Sequence, residues 1–461
     1  MARISKWKIG EATRHLVLPE LKYLEIDHES SNLESVESLV YSPLKGCRGT
    51  QSFTTFNLII NADGSPWLDG SLYLFECAHE EGLHYKTIAK RAEDLAEFKR
   101  AIDQEGIDYT LSPGNKFKRP TYFYLAHLNS LVDANIITEG YGDRKITAVH
   151  GLFKWLVKTE RIAPEYPLWN TRIETRIAQD EKGFTHPVDV AVSDLRIKRL
   201  RKGTTFQETV SDGGQLRPMS PEEKRLYIEA LTNVCSPELI LASEISLDTG
   251  AREQTVFGLR EKDLDNLHTY SDERGDIRYV IDVGKGTGID TKKNKRFKIF
   301  LSAHILDAIR QYIKCEHRLN RMRHAKPKAE GEQYIFLTKF GNPYYQSDAD
   351  REAWKNHNPY EGASIRLMIT SKLVPEIRRL GGEFSFSFHD LRATFALDTY
   401  RKLMALADKK KLTPSRVKSI VAALLGHSNT NTVDDYISYG ERRDILIEGQ
   451  RNFERSLKDK L

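Results

Sequence analysis

Apolar residues recur at three- and four-residue spacings along YKTIAKRAEDLAEFKRAI (residues 85–102) and VHGLFKWLVKTERI (149–162), with RPTYFYLAHLNSLVDANII (119–137) between them. That period marks helices that bury one face, so residues 67–170 are expected to form a helical bundle. Ahead of it, residues 1–66 mix short apolar runs such as Asn57–Asn61 (NLIIN) with Gly, Ser and Asn turn signals. This predicts a small, partly stranded extension. Beyond the bundle the periodicity stops: residues 171–216 carry Gly183, Pro187, Gly203, Gly213 and Gly214 among many charges and read as a linker.

The helical period resumes at SPEEKRLYIEAL (220–231). Ser220 is placed to cap this helix, Pro221 to occupy its first position, and Glu223 to close a capping box. ELILASEISLDTG (238–250) predicts a second helix ending at Gly250, and a short polar helix follows into Asp263. RYVIDVG (278–284) and RFKIFLS (296–302) flank a Lys-rich turn and predict strand, basic hairpin, strand. Further helices follow. The last segment, ERRDILIEGQRNFERSLKDKL (441–461), spaces Ile445, Leu446, Ile447, Phe453 and Leu457 into an apolar stripe, with Gly449 as its weak point. The expected fold class is mainly α with a small antiparallel β-sheet in the C-terminal half.

With 461 residues, the chain is long enough for two or three domains of ~150 residues. Its 39% hydrophobic content argues against wholesale disorder. The net charge of +5 is too small to imply a nucleic-acid partner, so only local clusters bear on that question. One such cluster is RIKRLRK, with Arg196, Lys198, Arg199, Arg201 and Lys202, suited to a phosphate backbone or to a solvated linker face. Another is the run of His317, Arg318, Arg321, Arg323, His324, Lys326 and Lys328, either a DNA-facing loop or a solvated surface. Cys47, Cys77, Cys235 and Cys315 lie far apart with no CxxC pair, which indicates neither a zinc site nor a disulfide framework and fits a reducing compartment. No apolar run approaches the ~18 residues that span a bilayer, and the first residues lack the apolar core of a signal peptide. A soluble, cytoplasmic protein with no membrane partner is expected.

Three segments carry a recognisable chemistry. TGAREQTVFGLREKDLD (249–265) sets Arg252 after a Thr-Gly turn, FHDLRATFA (388–396) holds His389 and Arg392 as HxxR, and LLGHSNTNTVDDYISY (424–439) holds His427 with Tyr436 nine residues on. A single HxxR occurs by chance in many chains. The three in this order, with a basic hairpin between the first two, resemble the signatures of the tyrosine recombinases, the phage integrase family. The resemblance covers about residues 216–440 and extends weakly to the preceding helical region. It implies an extension of unknown role (1–66), a helical core-binding, DNA-binding domain (67–170), a basic linker (171–216), a catalytic domain (217–440) and a C-terminal helix (441–461).

The activity so implied is that of a site-specific recombinase, an integrase that cuts and rejoins DNA through a 3′-phosphotyrosyl intermediate. It needs no cofactor, because one phosphodiester replaces another. The implied partners are double-stranded DNA with specific recombination sites and three further copies of the chain, as a homotetramer on two DNA sites whose C-terminal segments pack on neighbouring protomers. Arg252 and Arg392 suit the clamp on the non-bridging oxygens, since a guanidinium stays charged and donates two parallel hydrogen bonds. His427 completes that clamp, Tyr436 is the nucleophile, and His389 is placed to accept its proton. A phenol with a pKa near ~10 is a poor nucleophile at neutral pH, so the cations must favour phenolate.

The resemblance also implies a lysine as acid for the 5′ oxygen. Counting back seven residues from Ile299 lands on Lys292, the spacing of that family's hairpins; Lys285, in Gly-Lys-Gly, is the rival. Lys293, Lys295 and Arg296 suit phosphate contacts or a solvated turn. One departure stands out: Thr255 occupies the position where the family usually has the carboxylate that orients the histidine and arginine, and neighbouring Glu253 points elsewhere on a helix. Tyr439 competes with Tyr436 on residue type but not on spacing. Alternative readings are a type IB topoisomerase or hairpin resolvase, and a catalytically idle DNA-binding protein. A metal-dependent nuclease is disfavoured by the lack of a carboxylate cluster.

Overall fold

The computed structural model describes residues 12–22, 24–26, 41–43, 52–179, 185–197, 209–212, 214–265, 267–271, 276–350, 360–410, 412–427 and 430–458. They fall into two compact units, Met1–Thr204 and Thr205–Leu461. The fold is mainly α with small antiparallel sheets.

In the first unit, β1 (Arg14–Lys22) pairs antiparallel with β4 (Ser52–Ile60), with Arg14 opposite Ile60, while β2 (Leu24–Ile26) pairs with β3 (Tyr41–Pro43). Four helices follow, α1 (Leu68–His79), α2 (Tyr85–Gln104), α3 (Pro120–Asp133) and α4 (Glu139–Lys158). Their apolar faces enclose Leu74, Leu95, Phe98, Tyr124, Leu152 and Phe153, and Phe56 and Ile59 of β4 join that core. The run 57–61, read as part of an extension, is thus a wall of the helical unit. Lys145 and Asp94 are buried together, with Arg144 also bonded to Asp94, which satisfies charges that would otherwise be costly inside a bundle.

Residues 171–193, expected as linker, form instead a hairpin of β5 (Thr171–Gln179) and β6 (Thr185–Ser193), with Thr171 opposite Ser193. Val188, Val190 and Val192 do alternate with Asp189 and Ala191, but Gly183, Pro187 and the surrounding charges outweigh that signal; Ile173 and Ile177 are exposed and Val192 is buried. The basic run after it begins within the same unit: Leu195 and Ile197 belong to its core, and the Ile197 amide donates to Asp143.

The second unit opens with a two-residue-per-strand hairpin, β7 (Val210–Ser211) and β8 (Gln215–Leu216). Helix α5 (Pro221–Val234) has the predicted capping box, the Ser220 hydroxyl accepting from the Glu223 amide and Glu223 accepting from the Ser220 amide. Helix α6 (Pro237–Thr249) ends at Gly250 as read, and a short α7 (Glu253–Val256) follows. A three-stranded antiparallel sheet in the order β11–β10–β9 is made by β9 (His268–Ser271), β10 (Ile277–Val283) and β11 (Phe297–Ser302), so the two predicted strands pair and a third lies beside them. Helices α8 (Ala303–Lys314), α9 (Glu316–Met322), α10 (Ala363–Met368), α11 (Val374–Arg379), α12 (Asp390–Lys410), α13 (Pro414–Leu424) and α14 (Asn431–Lys458) complete it. The tail is therefore no separate helix: residues 441–458 continue the helix that carries Tyr436, straight through Gly449.

The basic stretch after residue 316 divides: Arg323, His324 and Lys326 are exposed, as the sequence reading allows, whereas His317, Arg318, Arg321 and Lys328 are tied to partners within the protein. Arg318 is fully buried, donating to the carbonyls of Tyr334 and Ile335 and to Glu261. Arg321 and His317 meet the buried Glu238, and Lys328 bonds Asp350. These cations fasten the 316–350 region to the core, a role that charge counting cannot distinguish from phosphate binding.

Candidate active site

Two helix ends and one helix start bring the predicted polar residues together. Gly250, at φ 69°, terminates α6 in the left-handed region, and a Cβ there would fall 2.5 Å from the Phe395 ring, so glycine is required on both counts. The chain then reverses, tied by the Ser246 hydroxyl to the Ala251 carbonyl at 2.9 Å, and Arg252 emerges as the N-cap of α7. Gly426, at φ 67°, ends α13 in the same way, with the His427 amide donating back to the Ala422 carbonyl. His389 precedes α12 and Arg392 lies in its first turn, fixed by Asp390, which accepts from the Ser387 amide and hydroxyl. Tyr436 lies in the second turn of α14, 1% exposed.

These side chains converge on one carboxylate absent from the sequence reading, that of Asp212. Its Oδ1 accepts from Arg252 Nη2 at 2.9 Å. Its Oδ2 accepts from Arg392 Nε at 3.0 Å and from the Tyr436 hydroxyl at 3.1 Å. His427 Nε2 lies 3.1 Å from the same oxygen and 2.8 Å from Arg392 Nη2; that nitrogen can donate to the carboxylate or accept from the guanidinium, not both at once. His389 Nε2 donates to the Asp212 backbone carbonyl at 2.9 Å. Arg392, fully buried, also donates to the carbonyls of Gly250 and Leu425 at 2.8 Å each.

The electrostatics follow from this packing. Burial raises the Asp212 carboxyl, but the His427 hydrogen bond and the charges of Arg392 and Arg252 outweigh it and hold the group far below the usual carboxylate range. Burial, then the Asp212 charge, pushes the Tyr436 phenol well above its ordinary 10. Burial and the neighbouring Arg392 charge press His389 down to about 4, and burial likewise lowers His427. Two buried polar atoms of the cluster, Arg252 Nε and His427 Nδ1, have no hydrogen-bond partner among the described residues.

Five of the six predicted residues thus share one centre, and the lysine does not. Lys292 begins a 3₁₀ turn (Lys292–Asn294) and Lys285 lies between Gly284 and Gly286; both are exposed, and neither has a hydrogen-bond partner among the described residues. Lys295 and Arg296 are exposed on the same turn, Arg296 lying 3.8 Å from Asp282, and the Lys293 side chain lies outside the described residues. Arg196 is exposed on the first unit, whereas Lys198, Arg199, Arg201 and Lys202 lie outside the described residues. Thr255 is buried and donates to the Asp290 carbonyl, and Glu253 pairs with Arg366 at 3.5 Å, so neither supplies the carboxylate usual at 255. Tyr439 lines a different cleft, with Arg217, Glu223, Phe384 and Arg443. Asp212 was missed because a Ser-Asp-Gly-Gly turn announces only a turn; its partners lie 40–224 positions away.

Solved recombinase and integrase structures are similar to this chain. A XerH site-specific recombinase bound to difH in a pre-cleavage complex is 16% identical, over 80% of this chain and 81% of that one, with a TM-score of 0.43. The Tn1549 transposon integrase in complex with circular intermediate DNA is 15% identical over 80% and 94%, at 0.42. A lambda integrase dimer bound to a COC′ core site is 13% identical over 80% and 93%, at 0.44. No family model and no curated protein matches the chain. At such identities and scores, what the site does must be drawn from its own side chains. Among the described residues no cluster suits a metal ion and no helix is long and apolar enough to cross a membrane.

Proposed function

We propose that the protein is a tyrosine-type site-specific recombinase that cuts and rejoins double-stranded DNA through a 3′-phosphotyrosyl intermediate. The observation that carries this reading is the approach of two guanidinium groups and an imidazole to a single anion within hydrogen-bond distance of a tyrosine hydroxyl. In the proposed reaction the anion is the scissile phosphate. Arg252 and Arg392 hold its non-bridging oxygens and stabilise the charge that grows on them in the transition state. Tyr436 attacks phosphorus while the 5′ oxygen leaves, and His389 takes the phenolic proton. Lys292, on the connection between β10 and β11, protonates the leaving oxygen, with Lys285 as its competitor. Attack by the freed 5′ hydroxyl of another strand reverses the link, so no high-energy cofactor enters.

The exposed cations Arg196, Lys295 and Arg296, together with Lys198, Arg199, Arg201, Lys202 and Lys293, are assigned to the DNA backbone, and the working assembly to four copies on two DNA sites. The test is a nicked suicide duplex incubated with the protein in the presence of a chelator. A covalent protein–DNA adduct that maps to Tyr436 and is absent from Tyr436→Phe is expected. An adduct on Tyr439, or cleavage that needs a divalent metal, would refute the assignment, and binding without any adduct would make the protein an idle DNA binder.

A further inference from the structure

The site is occupied by the chain itself. Asp212 presents two oxygens to Arg252, Arg392, His427 and Tyr436, the same groups assigned to the phosphate. A carboxylate offers a guanidinium the same two-oxygen fork as a pair of non-bridging phosphate oxygens. Both are anions, and both cannot sit on one set of donors. We propose that Asp212 is a built-in stand-in for the phosphate, a carboxylate plug that keeps the site closed until a phosphodiester displaces it.

This inference rests on reading the cluster as a phosphate clamp, and three further features support it. First, the fit is incomplete: the buried Arg252 Nε and His427 Nδ1 have no partner among the described residues. A tetrahedral oxyanion, with more acceptor positions than a carboxylate, would use donor capacity that Asp212 leaves idle. Second, the plugged site is chemically at rest. The Tyr436 hydroxyl is committed to the carboxylate, whose charge opposes phenolate, and the His389 Nε2 proton is committed to the Asp212 carbonyl. Withdrawal of one residue would free both.

Third, the carrier is small. Asp212 follows strand β7 in a hairpin of two residues per strand, its own amide bonded across the turn to the Gly214 carbonyl at 3.1 Å. The hairpin is anchored by Val210 and Leu216 in the core beside Tyr436. The tip can therefore swing out while its stem stays packed. A standing carboxylate that merely orients the arginines is the competing role, and it predicts the opposite response to substitution.

Tungstate, a tetrahedral oxyanion, serves as the probe with the full-length protein, its binding followed by calorimetry. If the open form is the minor one, apparent affinity is reduced by the fraction open, so Asp212→Asn should bind tungstate about tenfold or more tighter than wild type. Adding Arg252→Lys should abolish that gain. Weaker or unchanged binding by Asp212→Asn, while Arg252→Lys still weakens binding in the wild-type background, overturns the plug and leaves the clamp standing. Indifference of binding to Arg252→Lys in both backgrounds overturns the clamp, and the plug with it. Should Asp212→Asn fail to fold, hydrogen exchange of the wild type decides: saturating tungstate should speed exchange of the amides at 211–215, and unchanged exchange there refutes expulsion of the hairpin tip.

Discussion

At the scale of single residues, the buried cations carry the most exposed predictions. Arg392 donates through a planar fork to Asp212 and to the Gly250 and Leu425 carbonyls, an arrangement that an ammonium cannot copy. Arg392→Lys should therefore lower the rate of adduct formation on the nicked duplex by ~10² or more; a rate within a few-fold of wild type would remove it from the clamp. His389 yields a prediction in pH. Its pKa is about 4 in the fold against the usual 6.5, so the unfolded chain binds the proton more tightly. Stability from this group is complete above pH 6.5 and falls as the pH drops towards 4, with about 2 kcal/mol lost between pH 7.5 and 5. Denaturant unfolding at the two pH values should show that difference shrink in His389→Gln; an unaltered difference would place the titration elsewhere. That Arg252, His389, Arg392, His427 and Tyr436 belong together was legible only through the resemblance of their three motifs to the tyrosine recombinase signatures, since each residue alone is unremarkable. Asp212 was not legible. Its contacts span the unit, and no local pattern encodes a long-range partner.

At the scale of elements, legibility followed periodicity. The capping box at Ser220 and the stop at Gly250 are local devices, and both stand where the sequence places them. The hairpin of residues 171–193 escaped because the Gly, Pro and charges around it obscured the alternation of Val188, Val190 and Val192. The strands β10 and β11 pair with Val283 opposite Phe297, leaving both candidate lysines on the turn between them. Hydrogen bonding does not choose between the two, so chemistry has to. A 5′-bridging phosphorothiolate has a leaving sulfur that needs no proton. Lys292→Ala is expected to lose most cleavage of ordinary DNA and to regain it on the phosphorothiolate, measured as adduct formed per unit time. Rescue confined to Lys285→Ala would move the role to that residue.

At the scale of the molecule, the decisive element is the long helix Asn431–Lys458. Its first half is held within the second unit: Tyr436 and Tyr439 are buried, and Arg443 donates to the Pro218 carbonyl and to Glu223 at 3.1 and 3.2 Å. Ile445, Leu446 and Phe453 are 69%, 54% and 64% exposed, more apolar surface than an isolated helix end shows without purpose. Two covers are open to this stripe, its own domain or a second copy, and the proposed tetramer assigns it to a second copy. Because the same helix carries Tyr436, a neighbour gripping residues 444–458 would act on the helix that presents the nucleophile and couple cleavage to assembly. Deleting residues from Asp444 onward removes the stretch that carries Ile445, Leu446 and Phe453 and spares the Arg443 anchor. The truncated protein should bind one half-site as tightly as the full chain and lose cooperative occupancy of paired half-sites, read by gel shift and analytical ultracentrifugation. Unchanged cooperativity would mean that subunits meet through another surface and that the exposed stripe has a different partner.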